Sequence, residues 1–143
     1  MADRDPAAFT KGLMADLRAN GGKPSGGPMA GRTLLILTTT GAKTGEPRTV
    51  VVTMFRDGDS YVVAGTKSGA PTHPAWYTNL VAHPEVTIEA EGRAPIKATA
   101  VPAEGADREA LWQRLVELNP YFVDYPGKTE GRVIPMIRLT PTT

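Results

Sequence analysis

The sequence predicts a mainly β (α+β) domain, a small and partly open antiparallel barrel of six strands with short helices over its ends. The chain has 143 residues, which suits one domain with a single core. Its strand-like segments are joined mostly by short turns, whereas parallel strands would need a crossover helix between each successive pair. The elements follow the order α-β-β-β-α-β-β-α-β, which favours a barrel over a doubly wound sheet.

A short amphipathic helix is predicted at the start of the chain. Asp5 and Pro6 form a typical N-cap and first-turn pair, and the apolar residues from Phe9 to Leu17 recur every four positions. The Gly- and Pro-rich stretch that follows disfavours helix and strand, which is typical of a flexible connector. We therefore divide the chain into a helix with its connector, residues 1–30, and the barrel domain, residues 31–143.

Three strands are predicted next, in a meander. Thr33 to Thr40 is a continuous run of Leu, Ile and Thr, and Thr49 to Phe55 is rich in β-branched residues. Asp57-Gly58-Asp59 is a tight hairpin signal between the second strand and the third, Ser60 to Thr66. The pairing of these two strands is therefore expected to be antiparallel.

A short helix and a second hairpin follow. Pro74 is expected in the first turn of the helix and Pro84 just beyond its end, with Trp76 and Leu80 on the packed face. In the hairpin, apolar and polar residues alternate along two strands that flank a turn. The strands are residues 86–90 and 96–100, and the turn is Glu91-Gly92-Arg93.

The chain ends with a further helix and a sixth strand. Asp107 is expected to cap the helix, because a side-chain oxygen at that position can accept a hydrogen bond from the first turn. Leu111, Leu115 and Leu118 share one side of the helix at helical spacing. Val133 to Leu139 is the predicted last strand.

Composition disfavours several classes of function. Sixteen Lys and Arg against fifteen Asp and Glu give a net charge of +1, without the positive field that most nucleic-acid binders use. The absence of cysteine excludes disulfides, thiolate metal sites and cysteine nucleophiles. His73 and His83 have no partner at metal-ligand spacing, so we expect no metal. No apolar stretch approaches the roughly 20 residues of a membrane span, so we expect a cytoplasmic protein.

The most informative motif is a turn between two strands, residues 38–48, that contains two glycines and two cations. Glycine permits positive φ, so backbone N–H groups can converge on an anion while Lys43 and Arg48 neutralise it. A phosphate or polycarboxylate is the natural occupant. The segment is not a Walker A loop, because Ala42 precedes the lysine and a strand follows. On this motif alone, an ordinary hairpin with solvated charges is an equally good interpretation.

A second polar segment, Thr66 to Ala70, precedes the short helix that bears Trp76 and Asn79. Its backbone N–H groups suit the carbonyls of a flat heteroaromatic ligand, Lys67 can offset negative charge, and Trp76 can close one edge. A core aromatic under a loop is the alternative interpretation of Trp76.

Near the C-terminus, Asn119 to Pro126 concentrates aromatic residues in a stretch that proline interrupts. Tyr121, Phe122 and Tyr125 suit a lid that sandwiches a planar acceptor, with phenol groups that bond its oxygens. Packing of these rings against the sheet is an equal alternative.

The sequence has no G-x-S-x-G elbow and no plausible Ser/His/Asp set, so the residues that hydrolysis needs are missing. Redox chemistry asks less of the side chains. A hydride donor brings its own reactivity, and the protein supplies binding, orientation and electrostatics.

Four segments together resemble the deazaflavin (F-420)-dependent nitroreductase family. They are LLILTTTGAKTGEPR at residues 34–48, Asp57-Gly58-Asp59, HPAWYTN at residues 73–79, and Arg132-Val133-Ile134-Pro135. The resemblance covers nearly all of the chain from Gly31 on. It implies a split β-barrel and the 5-deazaflavin coenzyme F-420, a hydride carrier with a ribityl phosphate and an oligoglutamate tail.

The resemblance also implies roles for individual residues. Two cations would face the phosphate and the tail, four residues would hold or border the ring, and three would shape the acceptor pocket. Tyr125 is the expected catalytic residue, because a phenol can stabilise charge that develops on the acceptor. In this order the residues are Lys43 and Arg48; Thr66, Lys67, Trp76 and Asn79; and Tyr121, Phe122 and Tyr125.

The activity implied is hydride transfer from reduced F-420 to a conjugated enone or coumarin-type lactone, a quinone or a nitro compound. Phe122 stands where a hydroxyl is expected, which favours an alkene or quinone over a nitro acceptor. An FMN-dependent split-barrel oxidoreductase and a non-catalytic deazaflavin carrier are the alternatives. Monomer and homodimer both stay open, and the resemblance leaves room for a peripheral membrane contact through the N-terminal helix.

Overall fold

The computed structural model describes residues 6–26, 32–67 and 71–142. Within these ranges the helices and strands follow the predicted order. The helices are α1 (Pro6–Ala19), α2 (Ala75–Ala82) and α3 (Gly105–Leu118), and two 3₁₀ turns follow at Pro120–Asp124 and Pro126–Lys128. The strands are β1 (Leu34–Thr40), β2 (Pro47–Asp57), β3 (Ser60–Ala64), β4 (Glu85–Ala90), β5 (Ile96–Pro102) and β6 (Met136–Pro141).

The six strands form one barrel in the order β1-β2-β3-β6-β5-β4, and every neighbouring pair is antiparallel. The predicted six-stranded antiparallel barrel is therefore confirmed. We expected the barrel to be partly open. It is closed, because β1 pairs with both β2 and β4. Closure leaves no unpaired strand edge in the sheet.

Strand β1 is a continuous apolar run because both of its faces are covered. Successive side chains of a strand point to opposite faces. Leu35 and Leu37 belong to the cluster that fills the barrel, whereas Leu34 and Ile36 pack in a second cluster with α1. A strand buried on both sides needs no polar alternation, which explains the sequence pattern.

Both predicted hairpin turns are confirmed. Asp57 pairs with Ser60, so the loop between β2 and β3 has two residues, and Gly58 at its first position has a φ of +61°. In the turn between β4 and β5, Glu91 and Gly92 have φ values of +58° and +73°. Two-residue hairpin loops require positive φ because that backbone twist matches the twist of the flanking strands.

Helix α3 differs from the prediction at its start and on its apolar face. Glu104 occupies the N-cap position, and Asp107 lies within the first turn, where it accepts hydrogen bonds from Arg138 of β6. That guanidinium also holds the pKa of Asp107 below its ordinary value. Trp112 is only 8% exposed and belongs to the buried face together with Leu111 and Leu115. Leu118, which we predicted on that face, is 47% exposed and is the last residue of the helix.

Several other element boundaries differ from the predicted ones. Strand β6 begins at Met136 and not at Val133, which is 69% exposed. Strand β2 begins two residues earlier than predicted because Pro47 pairs with Thr40, and β3 ends at Ala64. Pro74 is the N-cap of α2 and does not lie in its first turn.

Helix α1 packs on the outer face of β1. Its Leu13, Met14 and Leu17 contact the outward side chains of Leu34 and Ile36. The predicted apolar stripe is therefore buried against the barrel; Asp5 and the side chain of Phe9 lie outside the described residues. Within the described ranges, the helices are too short or too polar to cross a membrane.

The C-terminal end of α1 is bound to β4 by charge and by close backbone contact. Arg18 donates two hydrogen bonds of 2.8 Å to the two carboxylate oxygens of Glu89. Gly22 has a φ of +88°, and a Cβ atom added there would lie 2.6 Å from the backbone nitrogen of Glu91. The start of the predicted connector is thus packed on the β4–β5 turn, while residues 27–30 lie outside the described residues.

A series of three Gly→Ala variants is expected to separate backbone strain from this contact. Gly26→Ala should be neutral, because the position is open and its φ is ordinary. Gly21→Ala should lower the free energy of unfolding by about 1 kcal/mol through positive φ alone. Gly22→Ala should lower it by about 2 to 4 kcal/mol, since overpacking adds to the strain. Urea unfolding followed by tryptophan fluorescence measures all three, and equal losses at Gly21 and Gly22 would show that the contact with Glu91 is unimportant.

Candidate functional site

Two adjoining cavities contain most of the residues that the sequence singled out. The first, of about 480 Å³, lies at the turn between β1 and β2; we call it the basic cavity. The second, of about 340 Å³, lies between β2, the end of β3 and the 3₁₀ turn that holds Phe122; we call it the aromatic cavity. Val50 and Trp76 line both cavities, so the two adjoin, and we treat them together as the candidate site.

The charged side chains that line the two cavities are all positive. Lys43 and Arg48 line the basic cavity, and Arg32 and Lys67 line the aromatic cavity. Among the described lining residues there is no carboxylate. The nearest acid is Glu46, whose carboxylate lies 3.6 Å from Arg48, and both side chains are more than half exposed. An exposed pair of this kind contributes little, so both cations of the turn remain available to an anionic ligand.

The turn itself does not cradle an anion in the way we predicted. Four of its backbone N–H groups donate within the protein, those of Gly41, Ala42, Gly45 and Glu46. Such groups are not available to a ligand unless the turn opens. The expectation that these four N–H groups converge on an anion is therefore wrong, because three donate within the turn and that of Ala42 donates to Asn79. The Lys43 and Arg48 side chains line the cavity and can bind an anion.

Asn79 of α2 holds this turn in place. Its side-chain oxygen accepts a hydrogen bond of 3.0 Å from the backbone N–H of Ala42, and its amide donates one of 3.2 Å to the hydroxyl of Thr39. The residue is only 9% exposed. We predicted that Asn79 borders the cofactor ring; the structure places it on the wall of the basic cavity, with both ends of its amide engaged.

Replacing Asn79 by leucine should lower the free energy of unfolding by about 1 to 3 kcal/mol, because the Ala42 N–H would be left buried without its acceptor. Thr39→Val removes only the hydroxyl that accepts from Asn79, so its effect should be smaller. Urea unfolding of the two single variants and the double variant gives the coupling between them. Equal losses for the two single variants would contradict the role of Asn79 in holding the turn.

The segment directly after β3, which we call the β3 end (residues 65–67), forms part of the wall of the aromatic cavity through Thr66 and Lys67. Lys67 has a φ of +46°, a left-handed conformation that is uncommon for a residue with a side chain. Its ammonium group donates a hydrogen bond of 3.0 Å to the hydroxyl of Thr72. The predicted ligand loop continues through residues 68–70, which lie outside the described residues.

Trp76 combines the two roles that the sequence left open. It is buried in the cluster that fills the barrel, together with Leu80 of the same helix. One part of it also forms the wall that the two cavities share. The core interpretation and the ligand-wall interpretation are therefore compatible with each other.

The C-terminal aromatic segment reaches the aromatic cavity through Phe122 and Tyr125. Phe122 is buried among side chains of α3, and its ring meets that of Tyr125 edge-on with centroids 5.3 Å apart. Tyr125 is half-buried, and the Lys128 ammonium lies 5.9 Å from its ring centroid. The side chain of Tyr121 lies outside the described residues, so its predicted place in the acceptor pocket stays a prediction.

The comparison with known proteins gives the family. Residues 11–141 match the family model described as F420H(2)-dependent quinone reductase. The chain belongs to this family. It is 42% identical over 108 residues to the F420H(2)-dependent quinone reductase of Mycobacterium tuberculosis, a match that covers 74% of this chain and 72% of the relative.

Solved structures agree with the family match. An F420-H2 dependent reductase is 34% identical, with a TM-score of 0.67 over 74% of this chain and 92% of that one. A domain-swapped dimer is 31% identical, with a TM-score of 0.68 over 94% and 99% of the two chains. The predicted resemblance to deazaflavin-dependent split-barrel reductases is therefore confirmed, and the chain is an F-420-dependent reductase.

The residues of the candidate site fit the coenzyme. F-420 is long and flat at one end and acidic at the other, and the candidate site is a pair of adjoining cavities with four cations and no described carboxylate in their lining. A net charge of only +1 makes this local concentration of positive charge notable. Positively charged side chains favour an anion through charge-assisted hydrogen bonds.

Several residues that line the two cavities were not predicted as site residues from the sequence. Arg32 and Pro74 line the aromatic cavity, and so do four residues in the middle of β2, Val50 to Thr53. Arg32 directly precedes the first strand-like run, which is a weak signal for a cation at the mouth of a barrel. The contribution of β2 depends on which face of the strand meets the 3₁₀ turn, and that is a property of the fold and not of local spacing.

Proposed function

We propose that the reductase binds F-420 along both cavities, with the phosphate and tail in the basic cavity and the deazaflavin ring in the aromatic cavity, and reduces a quinone or a conjugated enone. The observation that supports this placement is the distribution of side chains. Two exposed cations, Lys43 and Arg48, line the basic cavity, while three aromatic side chains line the aromatic cavity beside two further cations. Cations suit an acidic tail, and aromatic walls suit a flat ring.

Each part of the wall then has a distinct task. Lys43 and Arg48 bind the acidic groups, and Asn79 keeps the turn that carries Lys43 in position. Thr66 and Lys67 orient the ring from the end of β3, and Trp76 closes the edge between the cavities. When bound, the reduced coenzyme supplies a hydride.

The acceptor is proposed to lie beside Tyr125, in the part of the aromatic cavity nearest the 3₁₀ turn. The oxygen of a quinone or enone gains negative charge during reduction, and the Tyr125 phenol can donate a hydrogen bond to it. The Lys128 ammonium near the Tyr125 ring adds positive potential on this side. Solvent can deliver the remaining proton, so no side chain need act as a general acid.

A quinone is the favoured acceptor, and a coumarin-type lactone is the second proposal. Phe122 presents a ring without a hydroxyl to the cavity. The Tyr125 phenol can serve one carbonyl oxygen, whereas the two oxygens of a nitro group would need more donors. A nitro compound is therefore the least favoured of the three. The alternatives of an FMN enzyme and a non-catalytic carrier are disfavoured by the family match.

Titration with F-420 followed by an acceptor panel tests the proposal. We expect quenching of deazaflavin fluorescence on binding, and turnover of menadione that exceeds turnover of coumarin and of a nitroimidazole. NADPH alone should not support turnover, since the chain has no G-x-G-x-x-G strand-to-helix turn. Binding without reduction of any acceptor would point to a carrier, and turnover with NADPH alone would overturn the proposal.

Assembly and location stay predictions for this chain. One relative is a domain-swapped dimer, which keeps a homodimer beside the monomer as a proposal. The apolar side of α1 packs on the barrel through Leu13, Met14 and Leu17. A peripheral membrane contact through that side would thus require α1 to leave the barrel.

A further inference from the structure

Two residues in the segments that carry the family resemblance have no task in the function proposed above. His73 opens the HPAWYTN segment, and Arg132 opens the segment before β6. The fold brings them together although they are 59 positions apart in the chain. The Nη1 atom of Arg132 lies 3.0 Å from Nδ1 of His73, a ring nitrogen that can accept a hydrogen bond.

The Arg132 guanidinium also donates hydrogen bonds to the backbone directly after β3. Its Nη1 donates to the carbonyl oxygen of Gly65 and its Nη2 to that of Thr66, both at 2.8 Å. A planar guanidinium can hold two such acceptors in a fixed orientation, which a lysine ammonium cannot do. Charge-assisted hydrogen bonds of this length are stronger than neutral ones.

The segment after Arg132 adds a second attachment at the same place. The N–H of Gly65 donates to the carbonyl oxygen of Pro135 at 2.9 Å. A Cβ atom added at Gly65 would lie 2.8 Å from the Pro135 ring, so only glycine permits this approach without a shift. The end of β3 is therefore docked closely on residues 132–135.

This docking lies where the strand ladder has already ended. The pairing of β3 with β6 stops at Ala64 and Met136, and Lys67 adopts its left-handed conformation three residues further on. A strained conformation persists only where the surroundings hold it. Burial of the Arg132–His73 pair lowers the pKa of both groups, which keeps the imidazole neutral and able to accept.

We propose that Arg132, supported by His73, is a positioning residue that fixes Thr66 and Lys67 in the orientation needed to hold the cofactor ring. We call the Arg132–His73 pair the latch. The inference rests on the proposed placement of the ring in the aromatic cavity. Arg132 itself lies outside the lining of both cavities, so it acts through the backbone of the β3 end.

The test compares Arg132→Gln and His73→Phe with Arg114→Gln, an exposed arginine on α3 whose partner is Glu117 of the same helix. Hydrogen exchange of the free protein reports on the latch without the cofactor. We expect exchange at residues 65–67 to accelerate at least tenfold in Arg132→Gln, and two- to threefold in His73→Phe, which keeps an aromatic ring but loses the acceptor. Exchange elsewhere in the barrel and in Arg114→Gln should match the wild type.

Fluorescence titration then measures the F-420 dissociation constant, which should rise about tenfold in Arg132→Gln. Arg132→Lys should recover only part of the loss, because an ammonium cannot bridge both carbonyls in the same way. A KM for the acceptor that stays unchanged at saturating F-420 would agree with a role in holding the ring.

The outcomes separate the latch from the proposed function. If exchange accelerates locally but the wild type does not bind F-420, the proposed function fails and the latch stands as a structural device only. If exchange and F-420 affinity in Arg132→Gln match those of Arg114→Gln, the latch is overturned. Should Arg132→Gln fail to fold, His73→Phe decides alone, with wild-type exchange and affinity counting against the latch.

Discussion

Replacing Lys43 and Arg48 together by alanine should weaken F-420 binding about 100-fold at low ionic strength and leave the barrel folded. Charge-assisted hydrogen bonds to an anion contribute about 1 to 3 kcal/mol each. Both side chains are exposed, so solvent screening places each of them toward the lower end of this range. A tenfold loss for each single variant, adding in the double variant, is the expected pattern.

Salt dependence and a variant of opposite sign make this expectation specific. Salt should weaken wild-type binding and affect the double variant much less, because the screened charges are then absent. Glu46→Gln removes the carboxylate that lies 3.6 Å from Arg48 and should strengthen binding slightly. Fluorescence titration of the wild type and of each variant at two ionic strengths gives the F-420 dissociation constants to be compared. If the double variant binds F-420 as tightly as the wild type at low salt, the basic cavity is not the site of the acidic tail.

The barrel was predictable from the sequence because its signals are local. The period-two alternation of β4 and β5, the turns at Gly58 and Gly92 and the short connections all predict antiparallel neighbours. Closure of the barrel was not predictable, because the pairing of β1 with β4 joins segments that are far apart in the chain. No spacing within either strand encodes that pairing.

The errors on α3 and β6 have the same origin. Leu118 fits the helical stripe but is exposed at the end of α3, whereas Trp112 is buried in the cluster that contains Leu111 and Leu115. Val133 continues an apolar run, yet the backbone beside it is engaged with the end of β3 through Pro135, and the ladder starts only at Met136. Packing partners that are distant in sequence decided both outcomes.

The candidate site was predicted at the level of residues more than at the level of roles. Lys43, Arg48, Trp76 and Asn79 line one cavity, because the β1–β2 turn and α2 are both fixed to the same end of the barrel. The task of Asn79 was missed, since a hydrogen bond between residues 37 positions apart leaves no mark on local spacing.

Tyr125→Phe should lower kcat/KM for a quinone or enone by about 30- to 150-fold, while the F-420 dissociation constant stays within a factor of two. Tyr125 lines the aromatic cavity but not the basic cavity, so loss of its phenol should affect the acceptor and not the tail. One donor aimed at developing charge is worth about 2 to 3 kcal/mol of transition-state stabilisation. The ring remains in the variant, so its edge-on packing against Phe122 is preserved.

The decisive comparison sets kcat/KM against cofactor affinity in Tyr125→Phe and in Tyr121→Phe, the second tyrosine that the sequence places near the acceptor. A residual rate is expected in Tyr125→Phe, because solvent can still deliver the proton and the wall of the cavity still orients the acceptor. Loss of F-420 affinity with normal turnover at saturating cofactor would reverse the assignment. Tyr125 would then belong to the cofactor wall. The acceptor would have to lie nearer Arg32, the cation of the aromatic cavity to which the proposal gives no role.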